Sequence, residues 1–304
     1  MSDSDSHRLN LSAARASVGV AIALIGVKLW ALWATGALSI AASLADSTMD
    51  LIMSVGAMLA VHYAARPPDD DHAFGHTSAE DLSAFVQSLF LVGAAVGLVV
   101  SAVSRLLASS PPHLASEGAG IAAMLVSMAF TAALVIWQGR VARRTGNRVI
   151  AADRLHYIAD LLPAIGAILA LVASHLWGLW QLDAVVALLA AGVLARGAWS
   201  IGRGAWDALM DRRADPDVLD GIARIADSWP GVHGWHDLKT RTAGSRVFVH
   251  LHIELDGDQP LREAHDIGAA LRRAIIAAYP QADVIIHKDV ATKTPAASSP
   301  LKMD

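Results

Sequence analysis

The chain has 304 residues, 54% of them hydrophobic, with a mean hydropathy of +0.44 and a formal charge of −4. That is more apolar than an ordinary soluble domain, and no basic stripe marks a nucleic-acid surface. Thirteen histidines and no cysteine exclude disulfides and thiolate chemistry, so any metal site must be built from imidazole and carboxylate.

The first residues are polar, and 1–11 read as a disordered tail with no cleavable leader. Residues 82–104 and 118–139 contain no Asp, Glu, Lys or Arg. Each is long enough to cross a hydrocarbon core of roughly 30 Å as a helix. Less clean spans run near 16–36, 39–62, 150–172 and 178–200. The expectation is a six-helix transmembrane domain over 12–208, whose first, second and fifth spans carry ionisable residues. Lys28 lies inside the first span, with a stem long enough to snorkel toward the outer interface.

Arginine sets the orientation. Arg8, Arg15, Arg66, Arg140, Arg143, Arg144, Arg148, Arg203, Arg212 and Arg213 fall on one side. The loops ATGALS, SSPPHLASEGAG and SHLWGLWQ fall on the other, with Arg105 near that surface. Both termini are therefore expected in the cytoplasm.

From about Ala214 the character is that of a soluble domain. In ADPDVLDGIARIADSW, Asp215 and Pro216 signal a helix start. VFVHLHIEL alternates, with Val247, Val249, Leu251, Ile253 and Leu255 on one face and His250, His252 and Glu254 on the other. With HDLKTR before it, the amphipathic PLREAHDIGAALRRAIIAAY after it and ADVIIHKDV last, the order is α-β-β-α-β. This predicts a small α+β domain over 209–290, ferredoxin- or metallochaperone-like, small enough to depend on association. Residues 291–304 read as a disordered tail.

Three groups of residues carry chemistry. In the second span, SLADSTMDLIMS holds Asp46 and Asp50 at i and i+4, on one helix face. In the fifth, ADRLHYIADLLP holds His156 and Asp160 at the same spacing. Acids inside a span are costly and mark function. Two such pairs supply the four ligands of a tetrahedral zinc ion, which would largely neutralise them. The competing reading is a hydrogen-bonded cluster or an ion pair with Lys28 or Arg154.

The loop PPDDDHAFGHTSAED places Asp69, His72 and His76 at spacings of three and four, which a helical turn would bring together. A solvated acidic loop with incidental histidines has the same spacing. The C-terminal region holds His233, His236, His250, His252, His265 and His287, with Asp289 two residues on. His250 and His252 share a strand face, as do His287 and Asp289, and His233 is the expected bystander. No HExxH, no phosphate-binding Gly-rich loop ending in Gly-Lys and no G-x-S-x-G is present, which leaves no hydrolase signature.

Six spans, the intramembrane D-x-x-x-D and H-x-x-x-D, the loop DDDHAFGH and a His-rich domain with HDLKTR and DVIIHKD together resemble the cation diffusion facilitator family, in particular its bacterial zinc/iron exporters. The resemblance covers roughly residues 12–290. It implies a homodimeric metal–proton antiporter, not an enzyme, in the bacterial inner membrane. It further implies a transport site of Asp46, Asp50, His156 and Asp160, and a loop site of Asp69, His72 and His76. The cytoplasmic binuclear site would use His236, His252, His265, His287 and Asp289, the last carboxylate bridging, with His250 left out. Relatives carry a Lys where this chain has Ser78, pairing with an Asp after the sixth span. Asp211 remains here in ALMDRR, with Arg212 and Arg213 beside it.

An imidazole among carboxylates favours a borderline cation such as Zn²⁺, with Cd²⁺ and Fe²⁺ next; an all-carboxylate site would lean to Mn²⁺. The alternatives are a Mn²⁺, Co²⁺ or Ni²⁺ exporter and a membrane metal sensor that moves nothing. A buried site in mid-span argues against the sensor.

Overall fold

The computed structural model describes residues 3–35, 38–107, 118–177 and 182–291. Much of the three arginine-poor loops, and the tail beyond Ala291, lie outside these residues. The chain divides into two compact units, Ser4–Trp206 and Asp207 onward.

The first unit is built from six helices: α1 (Asp3–Thr35), α2 (Leu38–Ala64), α3 (Ser78–Leu107), α4 (Gly118–Thr145), α5 (Arg148–Trp177) and α6 (Leu182–Leu209). Among the described residues, α1, α3, α4 and α6 contain stretches long and apolar enough to cross a membrane. The other two, α2 and α5, are those that carry the aspartate and histidine pairs. The outward surface is apolar, with Ile22, Val96, Val100, Leu189 and Trp199 all exposed. That is the arrangement expected of a bundle solvated by lipid.

Inside the bundle the contacts are made by small residues. Ala13, Ala14, Ala57, Ala102, Ala184, Ala191 and Ala198 are buried. A side chain at Gly197 would collide with Leu155, and one at Gly166 with Val186, so α5 and α6 approach closely at both levels. Pro163 lies inside α5, where its ring nitrogen has no proton to give the carbonyl of Ala159, beside Asp160.

The expected disordered tail over 1–11 is corrected here, because α1 runs back to Asp3. No Gly or Pro interrupts the segment. Leu9 packs against the cluster of Ala13, Ala14, Ala57, Val61, Val141, Val149 and Ile150, and Asn10 is buried. Polar composition hid a helical turn that has something to pack on.

The second unit contains α7 (Pro216–Asp227), β1 (Gly234–Ala243), β2 (Arg246–Leu255), α8 (Leu261–Ala278) and β3 (Ala282–Val290). Asp215 caps α7 by accepting from Asp217 N, with Pro216 in the first turn. The sheet order is β1-β2-β3, antiparallel between β1 and β2 and parallel between β2 and β3. Val247, Val249, Leu251, Ile253 and Leu255 face a core completed by Ile222, Leu271, Ile275 and Val284. The alternation read from VFVHLHIEL therefore has its apolar face on the two helices.

Candidate metal sites

The alternation places the histidines as well. His236 pairs with His252 across β1 and β2, and His252 pairs with His287 across β2 and β3, so three imidazoles stand in one row. The register of β1 shifts between His236 and Lys239, where Asp237 takes a positive φ of 51°. This irregularity lies directly after the first imidazole of the row.

Asp289 is the hub. His252 Nδ1 is 2.8 Å from its Oδ2, His236 Nε2 is 3.3 Å from the same oxygen, and His287 Nε2 is 3.3 Å from Oδ1. The hydrogen bond from His252 holds the Asp289 carboxyl below the ordinary carboxylate range. One carboxylate reaching separate imidazoles through its two oxygens is a donor set suited to a borderline divalent ion. His265 stands apart, exposed on α8, and does not join the group within a single chain.

The loop gathers Asp69, His72 and His76, but without the helical turn that the spacing called for. Asp69 Oδ1 instead accepts from the backbone N–H groups of Asp71 and His72, at 3.2 and 2.7 Å. An Asx turn does the work of the helix. The His72 N–H is the main reason that the Asp69 carboxyl is held below its ordinary range. His72 Nδ1 and His76 Nε2 each lie 3.2 Å from an Asp69 oxygen. His76 is buried edge-on against Tyr63, with Nδ1 3.4 Å from the Arg66 carbonyl. The carbonyl and the carboxylate both only accept, so the single proton of a neutral ring satisfies one of them, and a cation between Nε2 and Asp69 reconciles the two.

In the bundle, residues 106 positions apart meet. His156 Nε2 on α5 is 2.9 Å from Asp50 Oδ1 on α2. The ligand atoms of Asp50, His156 and Asp160 all lie within 4.8 Å of one another, and Asp50 is only 7% exposed. Asp46 is not brought in; its side chain is exposed. An i,i+4 step displaces it about one turn, or 5–6 Å, along α2, and the group is centred on the Asp50 level. The competing ion pairs are not what engages the nearby cations. Lys28 Nζ donates to the Ser43 carbonyl and Ser47 Oγ, at 3.0 and 2.6 Å, so it is anchored on α2. Arg154 Nε donates to the Val135 carbonyl at 3.1 Å.

Elsewhere Asp211, at φ 56°, pairs with Arg241 at 3.2 Å, and Arg212 pairs with Asp207. Both contacts lie within the C-terminal unit. Sequence reasoning missed four buried polar residues of the bundle. Glu80 accepts from Asn147 Nδ2 at 2.8 Å, and Asp153 accepts from Gln138 Nε2 at 2.6 Å. The signal for Asp153 was a second acid in the fifth span, beside Asp160.

Comparison with known proteins places these groups in a family. Residues 14–210 match the cation efflux transmembrane domain, and residues 214–290 match the cytoplasmic domain of cation efflux proteins. The chain belongs to the cation efflux family. It is a membrane transporter with a six-helix transmembrane domain and a small cytoplasmic α+β domain, and not an enzyme. The cation-efflux pump FieF of Klebsiella pneumoniae is 37% identical over 290 residues, covering 95% of this chain and 96% of that one. FieF of Serratia proteamaculans is 38% identical over 288 residues, covering 95% of each. Among solved structures, the metal-bound C-terminal domain of the CzcD transporter from Thermotoga maritima is 28% identical, covering 24% of this chain and 87% of that domain at a TM-score of 0.24.

Proposed function

We propose that this efflux protein exports a divalent metal cation, zinc foremost with Cd²⁺ and Fe²⁺ next, in exchange for protons. It would act as a homodimer in a bacterial inner membrane with both termini in the cytoplasm. The observation that carries the reading is the meeting of Asp50, His156 and Asp160 within 4.8 Å, deep in two helices. Three ligating groups at mid-span fit a cargo that must be released on either side. Asp46, exposed one turn away on the same helix face, would have to turn inward to become the fourth ligand of a tetrahedral ion.

The exchange needs no separate energy source. An imidazole or carboxylate binds metal only when deprotonated, so cation and proton compete for the same atoms. Facing the near-neutral cytoplasm the site takes metal; facing a more acidic outside it takes protons. In this reading Asp69, His72 and His76 form a loop site. His236, His252, His265, His287 and Asp289 form a cytoplasmic binuclear site, to which His265 is joined by association of two chains.

Uptake of zinc into sealed proteoliposomes loaded with a fluorescent indicator tests the reading. Asp50→Ala is expected to abolish uptake while the protein stays folded, and a series of metals ranks the cargo. Uptake by Asp50→Ala at the wild-type rate overturns the site. Preference for Mn²⁺, Co²⁺ or Ni²⁺ over zinc overturns the choice of metal but not the site.

A further inference from the structure

Asp153 lies on α5 one turn before His156, and its side chain is completely buried. Ser17 of α1, Ser54 of α2, Gln138 of α4 and Tyr157 of α5 converge on the same point, and all are fully buried. Ser17 Oγ donates to Asp153 Oδ2 at 2.6 Å, and Gln138 Nε2 lies 2.6 Å from the same oxygen. Ser54 Oγ is 2.8 Å from Ser17 Oγ and 2.9 Å from the Tyr157 hydroxyl, which also reaches the Ser17 carbonyl at 3.3 Å. One hydrogen-bonded network therefore pins three helices to α5. Its level matters. Ser54 follows Asp50 by one turn on α2, as Asp153 precedes His156 by one turn on α5. The network thus fixes the two ligand-bearing helices beside the place where they present ligands.

The groups facing Asp153 are hydroxyls, an amide and a phenol. Its titratable neighbour is His156, and Arg154, next in the chain, turns its Nε to Val135. Among the described residues no cationic side chain lies at hydrogen-bond distance from Asp153. Oδ1 meets only Ser54 Oγ, at 3.5 Å, too long for a strong hydrogen bond.

We propose that Asp153 is a positioning residue of the transport site, a buried carboxyl group that ties α1, α2 and α4 to α5 and so keeps Asp50 and His156 within coordinating reach. This rests on the transport reading above.

The test uses the full chain in lipid and reads the zinc affinity of the transport site, titrated in a parent carrying His76→Ala and Asp289→Ala. Asp153→Asn, which keeps shape and hydrogen bonding, is expected within about threefold of the parent. Asp153→Ala and Ser54→Ala are expected to weaken binding by about tenfold or more, the scale of lost supporting contacts around metal ligands. A purely structural role would lower melting temperature without this pattern of rescue by Asn. Asp153→Asn as weak as Asp153→Ala, or Ala variants equal to the parent, overturns the positioning role. Should Asp153→Ala fail to fold, Ser54→Ala decides alone, and unchanged affinity there overturns the proposal. A parent that binds no zinc sinks the transport reading, whereas a parent that binds zinc and is matched by its Ser54→Ala and Asp153→Ala variants sinks the positioning role alone.

Discussion

The bundle group and the sheet group use the same two side-chain types in opposite surroundings. Asp50, His156 and Asp160 come from two helices inside the transmembrane domain, Asp50 buried, His156 half-buried and Asp160 at the open side of the group, with His156 Nε2 2.9 Å from Asp50 Oδ1. His236, His252, His287 and Asp289 come from three adjacent strands and remain partly in solvent. In the bundle, an ionised group without a partner is expensive, so each ligand is dependent on the others. On the sheet, solvent screens the charges, and the row of imidazoles is held by backbone register instead. The same chemistry is therefore coupled to folding differently. Losing a ligand in the bundle should disable the whole group, while losing one on the sheet should weaken binding and leave the domain standing.

The largest effect is expected in the bundle. Asp160→Ala should reduce zinc transport to the background of empty vesicles, with the cytoplasmic group still binding zinc. Measurable flux above background would show that the bundle ligands are not interdependent. On the sheet, Asp289→Ala should weaken zinc binding by at least the roughly 10- to 100-fold seen on losing a supporting partner, measured by calorimetry, with the melting temperature of the domain little changed. A collapse of the domain would erase the contrast between bundle and sheet.

A smaller effect concerns packing under the sheet. A side chain at Gly221 would run into the Tyr279 hydroxyl. Gly221→Ala should therefore destabilise the C-terminal domain by about 1–3 kcal/mol, the usual range for overpacking. Chemical denaturation would read it, and unchanged stability would mean that Tyr279 moves freely.

The smallest effect separates turn from charge in the loop. Asp69→Asn keeps the oxygen that accepts from Asp71 and His72, so stability should change little, while metal affinity falls. The Asp69 carboxyl is held below its ordinary range. Its ionised form therefore adds stability that is complete above that range and lost as pH falls through the depressed value. The small difference between wild type and Asp69→Asn should vanish below that value, and a difference that grows on acidification would contradict the assignment of cause.

How much of the fold and its sites is legible in the sequence depends on whether a feature is local. The strand alternation of Val247 to Leu255 is local, and it suffices to put His252 on the open face of the sheet. The i,i+4 pairs are legible for the same reason, and so is the expectation that they meet. That Asp46 stands outside the group is not, because spacing gives a shared face and not a shared level. The loop residues gather as their spacing suggests, but by an Asx turn in place of a helical one, since Asp satisfies backbone N–H groups from its own side chain. The helical start at Asp3 and the network around Asp153 are hidden because both depend on distant partners. Ser17 and Gln138 lie 136 and 15 positions from Asp153, and nothing in ADRLHYIAD reports them.

The most direct measurement of the central claim is proton movement on a zinc pulse, read by a pH dye inside sealed proteoliposomes. Wild type should move protons opposite to zinc, and Asp50→Ala should move none. Zinc uptake by wild type with no proton counter-movement would contradict exchange at a shared set of ligands.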